Sequence, residues 1–172
     1  MSCDITFNST DVIVNCNLSG IPPVPENVTI LICVANMDFC NSDLFCNPKF
    51  DKLRVLDISL NHLHFIPKGC FSSFTVLEKL TLSDNGYLGF DNLYNACFGL
   101  NQTLIQELNV NRINHQVLVN RPFPRNISRL LTNTSLHTFN LEYNSIKFVE
   151  GGFYIICREH SKRCLFVETD YL

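Results

Sequence analysis

The chain has 172 residues, 46% of them hydrophobic, with 13 basic and 16 acidic side chains and a formal net charge of −3. That length is enough to bury a core in one continuous elongated domain, and the slight acidic balance argues against general nucleic-acid binding. No apolar run approaches the roughly 18 residues that a membrane helix needs, while nine cysteines point to an oxidising compartment.

The N terminus, Met1-Ser2-Cys3-Asp4, has no apolar stretch behind it and is not a signal peptide. A secreted fragment whose leader has been removed is expected. Cys3 and Cys16 flank a short apolar stretch, followed by Ile21-Pro22-Pro23-Val24-Pro25. Residues 1–27 read as a cap, which a stacked sheet requires because its first strand would otherwise expose edge and core to water.

From residue 28 the chain repeats itself. Leu53-Arg54-Val55-Leu56-Asp57-Ile58-Ser59-Leu60-Asn61-His62-Leu63 fits LxxLxLxxNxL, and the pattern returns from Leu77 to Asn85 and from Leu136 to Ile146. Val28, Leu31, Cys33 and Asn36 hold the same offsets one step earlier. Ile105, Leu108 and Val110 give a degenerate unit in which Ile113 takes the Asn place and Asn114 comes one position late. Strands are predicted near 30–33, 55–58, 79–82, 107–110 and 138–141, the fourth resting on the weakest match.

Alternation within a strand points Leu56 and Ile58 inward and Val55, Asp57 and Ser59 outward. An inward Asn at Asn36, Asn61, Asn85 and Asn144 can bond backbone groups that the turn would otherwise bury unpaired. Leu63, Ile66, Phe71 and Phe74 fill the core behind the turn, and Phe153 with Ile156 repeats the spacing of the two phenylalanines. The steps between units run roughly 25, 24, 28 and 31 residues, inside or just beyond the usual period. The pattern fails after Ile156, so 157–172 is expected to be a repeat cut short within a longer solenoid, or a minimal C-terminal closure.

Asn-x-Ser/Thr sequons occur at Asn8, Asn17, Asn27, Asn101, Asn126 and Asn133, consistent with a secreted glycoprotein. None falls on an outward strand position of the three strong repeats. For the cysteines the expected pairs are Cys3–Cys16, Cys40–Cys46 and Cys157–Cys164, leaving Cys33, Cys70 and Cys97 as buried thiols. Cys46 also lies seven residues before its next strand, as Cys70 does, so it fits that column equally.

Catalytic and metal chemistry find little support. His62-x-His64 reads as solvated surface, and Cys157-x2-His160-x3-Cys164 lacks the fourth ligand of a structural zinc site. An acid/base pair could be sought among Glu78, Asp84 and Asp91, but two of the three sit at variable repeat positions where acids are ordinary solvated surface. The chain also contains no GxSxG, HExxH or phosphate-cradling loop. No enzyme activity, cofactor or metal is expected. One stretch, Leu108 to Leu141, contains no Asp or Glu but four arginines, Arg112, Arg121, Arg125 and Arg129. The bland reading is a solvated, glycosylated bulge, since Asn126 and Asn133 flank Arg129, with Pro122 and Pro124 keeping its middle from forming a helix. The sharper one is that these arginines attract an anionic ligand or partner.

The repeats, the segment Cys16-Asn17-Leu18-Ser19-Gly20-Ile21-Pro22-Pro23-Val24-Pro25 and Asp57-Ile58-Ser59-Leu60-Asn61 resemble the N-terminal ectodomain of a Toll-like receptor. Gly86-Tyr87-Leu88-Gly89-Phe90-Asp91-Asn92-Leu93-Tyr94-Asn95-Ala96 is similar to segments of invertebrate members. The resemblance spans about residues 3 to 156. It implies an α/β leucine-rich repeat solenoid, a horseshoe with short parallel strands on its concave face and a cysteine-bearing cap. It also implies an extracellular pattern-recognition role in innate immunity. A microbial ligand or relay protein would be bound, the receptor would pair as a homo- or heterodimer, and signal transduction would pass through membrane and cytoplasmic segments absent here. The alternative is a secreted or cell-surface leucine-rich repeat protein for adhesion or matrix binding, or a soluble decoy.

Overall fold

The computed structural model describes residues 3–16, 24–34, 50–114, 121–149, 153–157 and 164–168, with the backbone alone at 121, 147–149, 153–157 and 164–168. The chain is an α/β protein built on one open, mostly parallel sheet. Strands β1 (Asp4–Phe7), β2 (Val12–Cys16), β3 (Ile30–Cys33), β4 (Val55–Asp57), β5 (Lys79–Thr81), β6 (Glu107–Asn109) and β8 (Thr138–Asn140) lie side by side in that order. All but β1 run parallel, and β1 pairs antiparallel with β2. Beyond β8 the sheet continues into an antiparallel hairpin, β10 (Phe153–Cys157) and β11 (Cys164–Glu168), of which β11 touches β8. Strands β7 (Arg121–Phe123) and β9 (Ile146–Val149) form a separate parallel pair.

Register follows the apolar pattern. Val14, Leu31, Leu56, Leu80, Leu108 and Phe139 are partners on successive strands, and all are buried. The next inward row, Cys33, Ile58, Leu82, Val110 and Leu141, is buried as well. A one-residue slip would turn both rows to the outer face, so burial fixes the pairing. Behind the sheet lie helix α1 (Gly89–Cys97), a 3-10 turn (Leu100–Gln102) and helix α2 (Arg125–Leu131), with α2 against both. Phe50, Phe71 and Phe74 pack at ring separations of 6.2 and 6.4 Å. Phe123 meets Phe90 and Phe139 edge-on at 5.5 and 5.9 Å.

Two rows of backbone bonds step from unit to unit. The carbonyls of Thr29, Arg54, Glu78 and Gln106 each accept two N–H groups from the strand entrance of the next unit. At the strand exits the direction reverses: Ile58, Leu60, Leu82, Asp84, Val110 and Arg112 donate their N–H groups to carbonyls of the next unit. Each exit then bends through a residue with positive φ: Leu60 (55°), Asp84 (58°), Arg112 (50°) and Tyr143 (60°). None is glycine, so each bend holds strain of roughly 1–2 kcal/mol.

The asparagines complete the turns. Asn61 Nδ2 donates toward the carbonyls of Cys33 (2.8 Å), Ile58 (3.0 Å) and Ser59 (2.9 Å). Asn85 Nδ2 donates to Ile58 (3.0 Å) and Leu82 (2.8 Å), while its Oδ1 accepts from Leu63 N–H. Asn144 Nδ2 donates to Val110 (2.7 Å) and Leu141 (2.9 Å), and its Oδ1 accepts from Ile113 and Asn114 N–H. Ile113 is buried in the corresponding turn and carries no amide. There the tie runs through the backbone, Gly89 N–H donating to the Ile113 carbonyl at 2.9 Å.

Three expectations change. Pro122 and Pro124 do not exclude a helix from their stretch. They hold the backbone extended through β7, and Pro124, at φ −67° and ψ 129°, is the residue from which α2 starts. That is where a proline is tolerated, because its missing N–H falls among donors left unpaired at a helix start. Phe153 and Ile156 share the spacing of Phe71 and Phe74 but lie in extended strand β10. Cys70 is not a thiol: it is disulfide-bonded, to a partner outside the described side chains.

Candidate recognition face

Five of the parallel strands, β3, β4, β5, β6 and β8, bring a second set of residues to the face opposite the core. One outward row runs Ile30, Val55, Lys79, Glu107 and Thr138, and the next runs Ile32, Asp57, Thr81, Asn109 and Asn140. Both change from apolar at the β3 end to polar at the β8 end, whereas the inward row they alternate with stays apolar throughout. Ser83 Oγ donates to Asn109 Oδ1 at 2.8 Å and accepts from Asn111 N–H at 3.2 Å, linking two units across the surface. Asp57 and Asn140 accept from the backbone N–H two residues on, Ser59 and Glu142, which fixes their side chains.

Charges along this face pair between units rather than within them. Arg54 lies 2.7 Å from Asp11 Oδ1 and 3.5 Å from Glu78. Lys79 meets Glu107 at 3.0 Å, and Arg112 meets Asp84 at 2.9 Å. Arg112 also stacks on the Tyr143 ring, its guanidinium carbon 4.6 Å from the centroid. The Asp11 carboxyl is held down to about 2 by the Arg54 hydrogen bond, then by the Thr10 and Thr29 hydroxyls. At the bend row the chain shows solvent a leucine, an acid, a base and a tyrosine in turn, with Leu60 58% and Tyr143 69% exposed.

The four arginines of the acid-free stretch are not brought to one element. Arg112 sits at the exit of β6, occupied by Asp84 and Tyr143. Arg125 and Arg129 are exposed on α2, behind the sheet, and Arg121 lies in β7 with only its backbone described. Glu78 and Asp84 are each held by an arginine, and Asp91 is exposed on α1. His137 approaches Thr138 Oγ1 (3.1 Å) and Gln106 Oε1 (3.4 Å), and no carboxylate among the described residues orients it. His62 and His64 are exposed. Among the described residues no group of three or more His, Cys, Asp or Glu could hold a metal ion.

Cys3 and Cys16 form a disulfide that ties β1 to the end of β2. Cys33 and Cys97 are buried free thiols; burial, aided by nearby Asp57, pushes Cys33 up to about 12, and burial raises Cys97. Such thiols are poor nucleophiles and belong to the core. The register of β10 and β11 sets Cys157 opposite Cys164, while Cys40 and Cys46, like Asn17 and Asn36, lie outside the described residues. The sequons at Asn8, Asn27, Asn101, Asn126 and Asn133 are all exposed, and none stands on an outward strand position.

Sequence reasoning missed Asn92, in the first turn and a half of α1. Its Nδ2 donates to the carbonyls of His64 and Leu88, both at 2.9 Å, and its Oδ1 accepts from Ile66 N–H at 3.1 Å. It binds the helix to the preceding unit, a role that no offset in the repeat pattern signals. Comparison with protein-family models and with curated proteins gives no match.

Proposed function

We propose that the chain is the non-catalytic, ligand-recognition part of an extracellular leucine-rich repeat receptor of the Toll-like kind, an open solenoid whose outward sheet face meets a microbial surface ligand. The observation that carries this reading is the contrast between the two faces of one sheet. Inward rows stay apolar from strand to strand, while outward rows change chemistry. A rigid frame with a variable polar face is what binding requires. The outward charges Arg54, Lys79, Glu78 and Glu107 pair with one another across units, a use that fits a binding surface. The Cys3–Cys16 disulfide and the exposed sequons support an extracellular location, and among the described residues no helix is long and apolar enough to cross a membrane. In the longer receptor this face would work in a homo- or heterodimer.

The test places a glycan on the face. Glu142→Thr completes an Asn-x-Thr sequon at Asn140 on β8. The secreted chain is expected to sediment with at least one of three particulate probes: peptidoglycan, β-glucan or lipopolysaccharide-coated beads. The glycan at Asn140, with occupancy read by mass spectrometry, is expected to abolish that binding. Sedimentation with none of the three, or binding indifferent to an occupied Asn140, overturns the reading.

A further inference from the structure

Strand β1 stands at one end of the main sheet and β10 at the other. All four residues of β1, Asp4 to Phe7, are exposed, and among the described residues β1 has a strand on one side only. Ile5 stands opposite Val14 and Phe7 opposite Val12, so both lie on the face that carries the core. Ile5 is nevertheless 41% and Phe7 72% exposed. A strand with unpaired backbone groups and exposed apolar side chains is a template for pairing with another chain. The usual protections are thin here, since β1 has no proline, lysine or bulge among the described residues and Asp4 is its only charge.

Immediately after Phe7 comes the sequon Asn8-Ser9-Thr10, in the tight loop between β1 and β2. Asn8 N–H donates to the Asp11 carbonyl at 3.1 Å. Asn8 Oδ1 accepts the backbone N–H groups of Thr10 (2.9 Å) and Asp11 (2.6 Å). The amide is therefore anchored by its oxygen. Its nitrogen, the atom to which an N-linked sugar attaches, has no partner among the described residues, and the side chain is exposed. Thr10 Oγ1 lies 2.8 Å from Asp11 Oδ2 and 3.2 Å from Asn8 Oδ1, so the loop is held from both sides. The disulfide at Cys3 and Cys16 closes the far end of the same hairpin.

We propose that Asn8 carries an N-linked glycan at the tip of the β1–β2 loop, next in sequence to the exposed β1 edge, and that its bulk blocks edge-to-edge pairing with a second copy of this chain. The glycan supplies the bulk and hydration that the edge strand lacks. Attachment joins the sugar to Nδ2 and leaves Oδ1 in its two backbone bonds, so the turn is undisturbed. The inference rests on the extracellular reading, because the modification belongs to the secretory route.

The experiment uses the whole chain secreted from eukaryotic cells, with glycopeptide mass spectrometry and sedimentation velocity. Asn8 is expected to be occupied and the chain monomeric. Asn8→Asp keeps an oxygen acceptor for the Thr10 and Asp11 N–H groups but removes the attachment nitrogen, and is expected to shift the chain toward dimer in a concentration-dependent way. Adding Ile5→Lys and Phe7→Lys to Asn8→Asp is expected to return it to monomer. An unoccupied Asn8 beside occupied Asn27, Asn101, Asn126 or Asn133 overturns this inference and leaves the extracellular reading standing. Absence of sugar at all of them overturns both. An Asn8→Asp chain as monomeric as the glycosylated one, or a dimer that survives the lysine substitutions, removes the guarding role.

Discussion

At Asn61 and Asn85 a buried amide ties each turn to the one before it, whereas at Ile113 an apolar side chain fills the turn and the tie passes to Gly89 N–H and the Ile113 carbonyl. The segment between Ile113 and Asn144 is also the one that adds β7 and α2 outside the main sheet. The Ile113 turn is bonded by the Asn144 amide of the following unit, and the added segment packs against the core through Phe123, wedged between Phe90 and Phe139. Extra length is tolerated because loop-closure cost grows slowly with loop size. The added segment is held to the core by an apolar anchor, Phe123.

Removing that anchor should have the largest effect. Phe123→Ala is expected to destabilise the chain by about 3–5 kcal/mol, read as a fall in the denaturant midpoint. Loss below about 1 kcal/mol would mean that the long unit does not depend on it. Asn85→Ala strands the Leu63 N–H and removes donors from the Ile58 and Leu82 carbonyls, all in buried surroundings. A cost of about 2–3 kcal/mol is expected.

The converse substitution sharpens the contrast. If position 113 merely lacked its asparagine, Ile113→Asn would stabilise the turn. Because Ile113 is fully buried, an amide placed there is expected to destabilise by about 1–2 kcal/mol instead. Equilibrium unfolding of this variant separates the two accounts by sign.

Smaller effects lie among the charges. Asp11 titrates in the folded chain near 2, below its ordinary value of 3.8. Its stabilising contribution is full above about pH 4 and fades as pH falls toward about 2. Asp11→Asn should flatten that part of the acid limb in a stability-versus-pH series, and an unchanged limb would exclude Asp11 as its source. Arg112→Ser should give the smallest change, since the Asp84 pair is solvent-exposed and screened. At about 0.5 M salt its unfolding midpoint should match that of the parent chain.

Much of the regular half was legible in the sequence because one signal, an apolar residue at a fixed offset, sets strand, register and burial together. Leu56, Leu80 and Leu108 are partners for that reason. The outward character of Val55, Asp57 and Ser59 follows from the same alternation. Proximity was harder to read. Arg112 and Arg125 are near in sequence but belong to different layers, because α2 leaves the sheet between them. Cys70 looked like a small buried core residue, and burial does not distinguish a thiol from a half-cystine. The positive-φ bends left no trace, since Leu60, Arg112 and Tyr143 are not residues that sterics favour there.

Those bends separate what the backbone requires from what the side chain says. At four successive exits the chain takes one bend and hangs from it a leucine, an aspartate, an arginine and a tyrosine, each largely free of the core. A mutation there changes the vocabulary of the surface without rewriting the grammar of the fold, so these are positions where drift is cheap and selection can act on contact alone. The same positions are the natural place for a designer to install new chemistry.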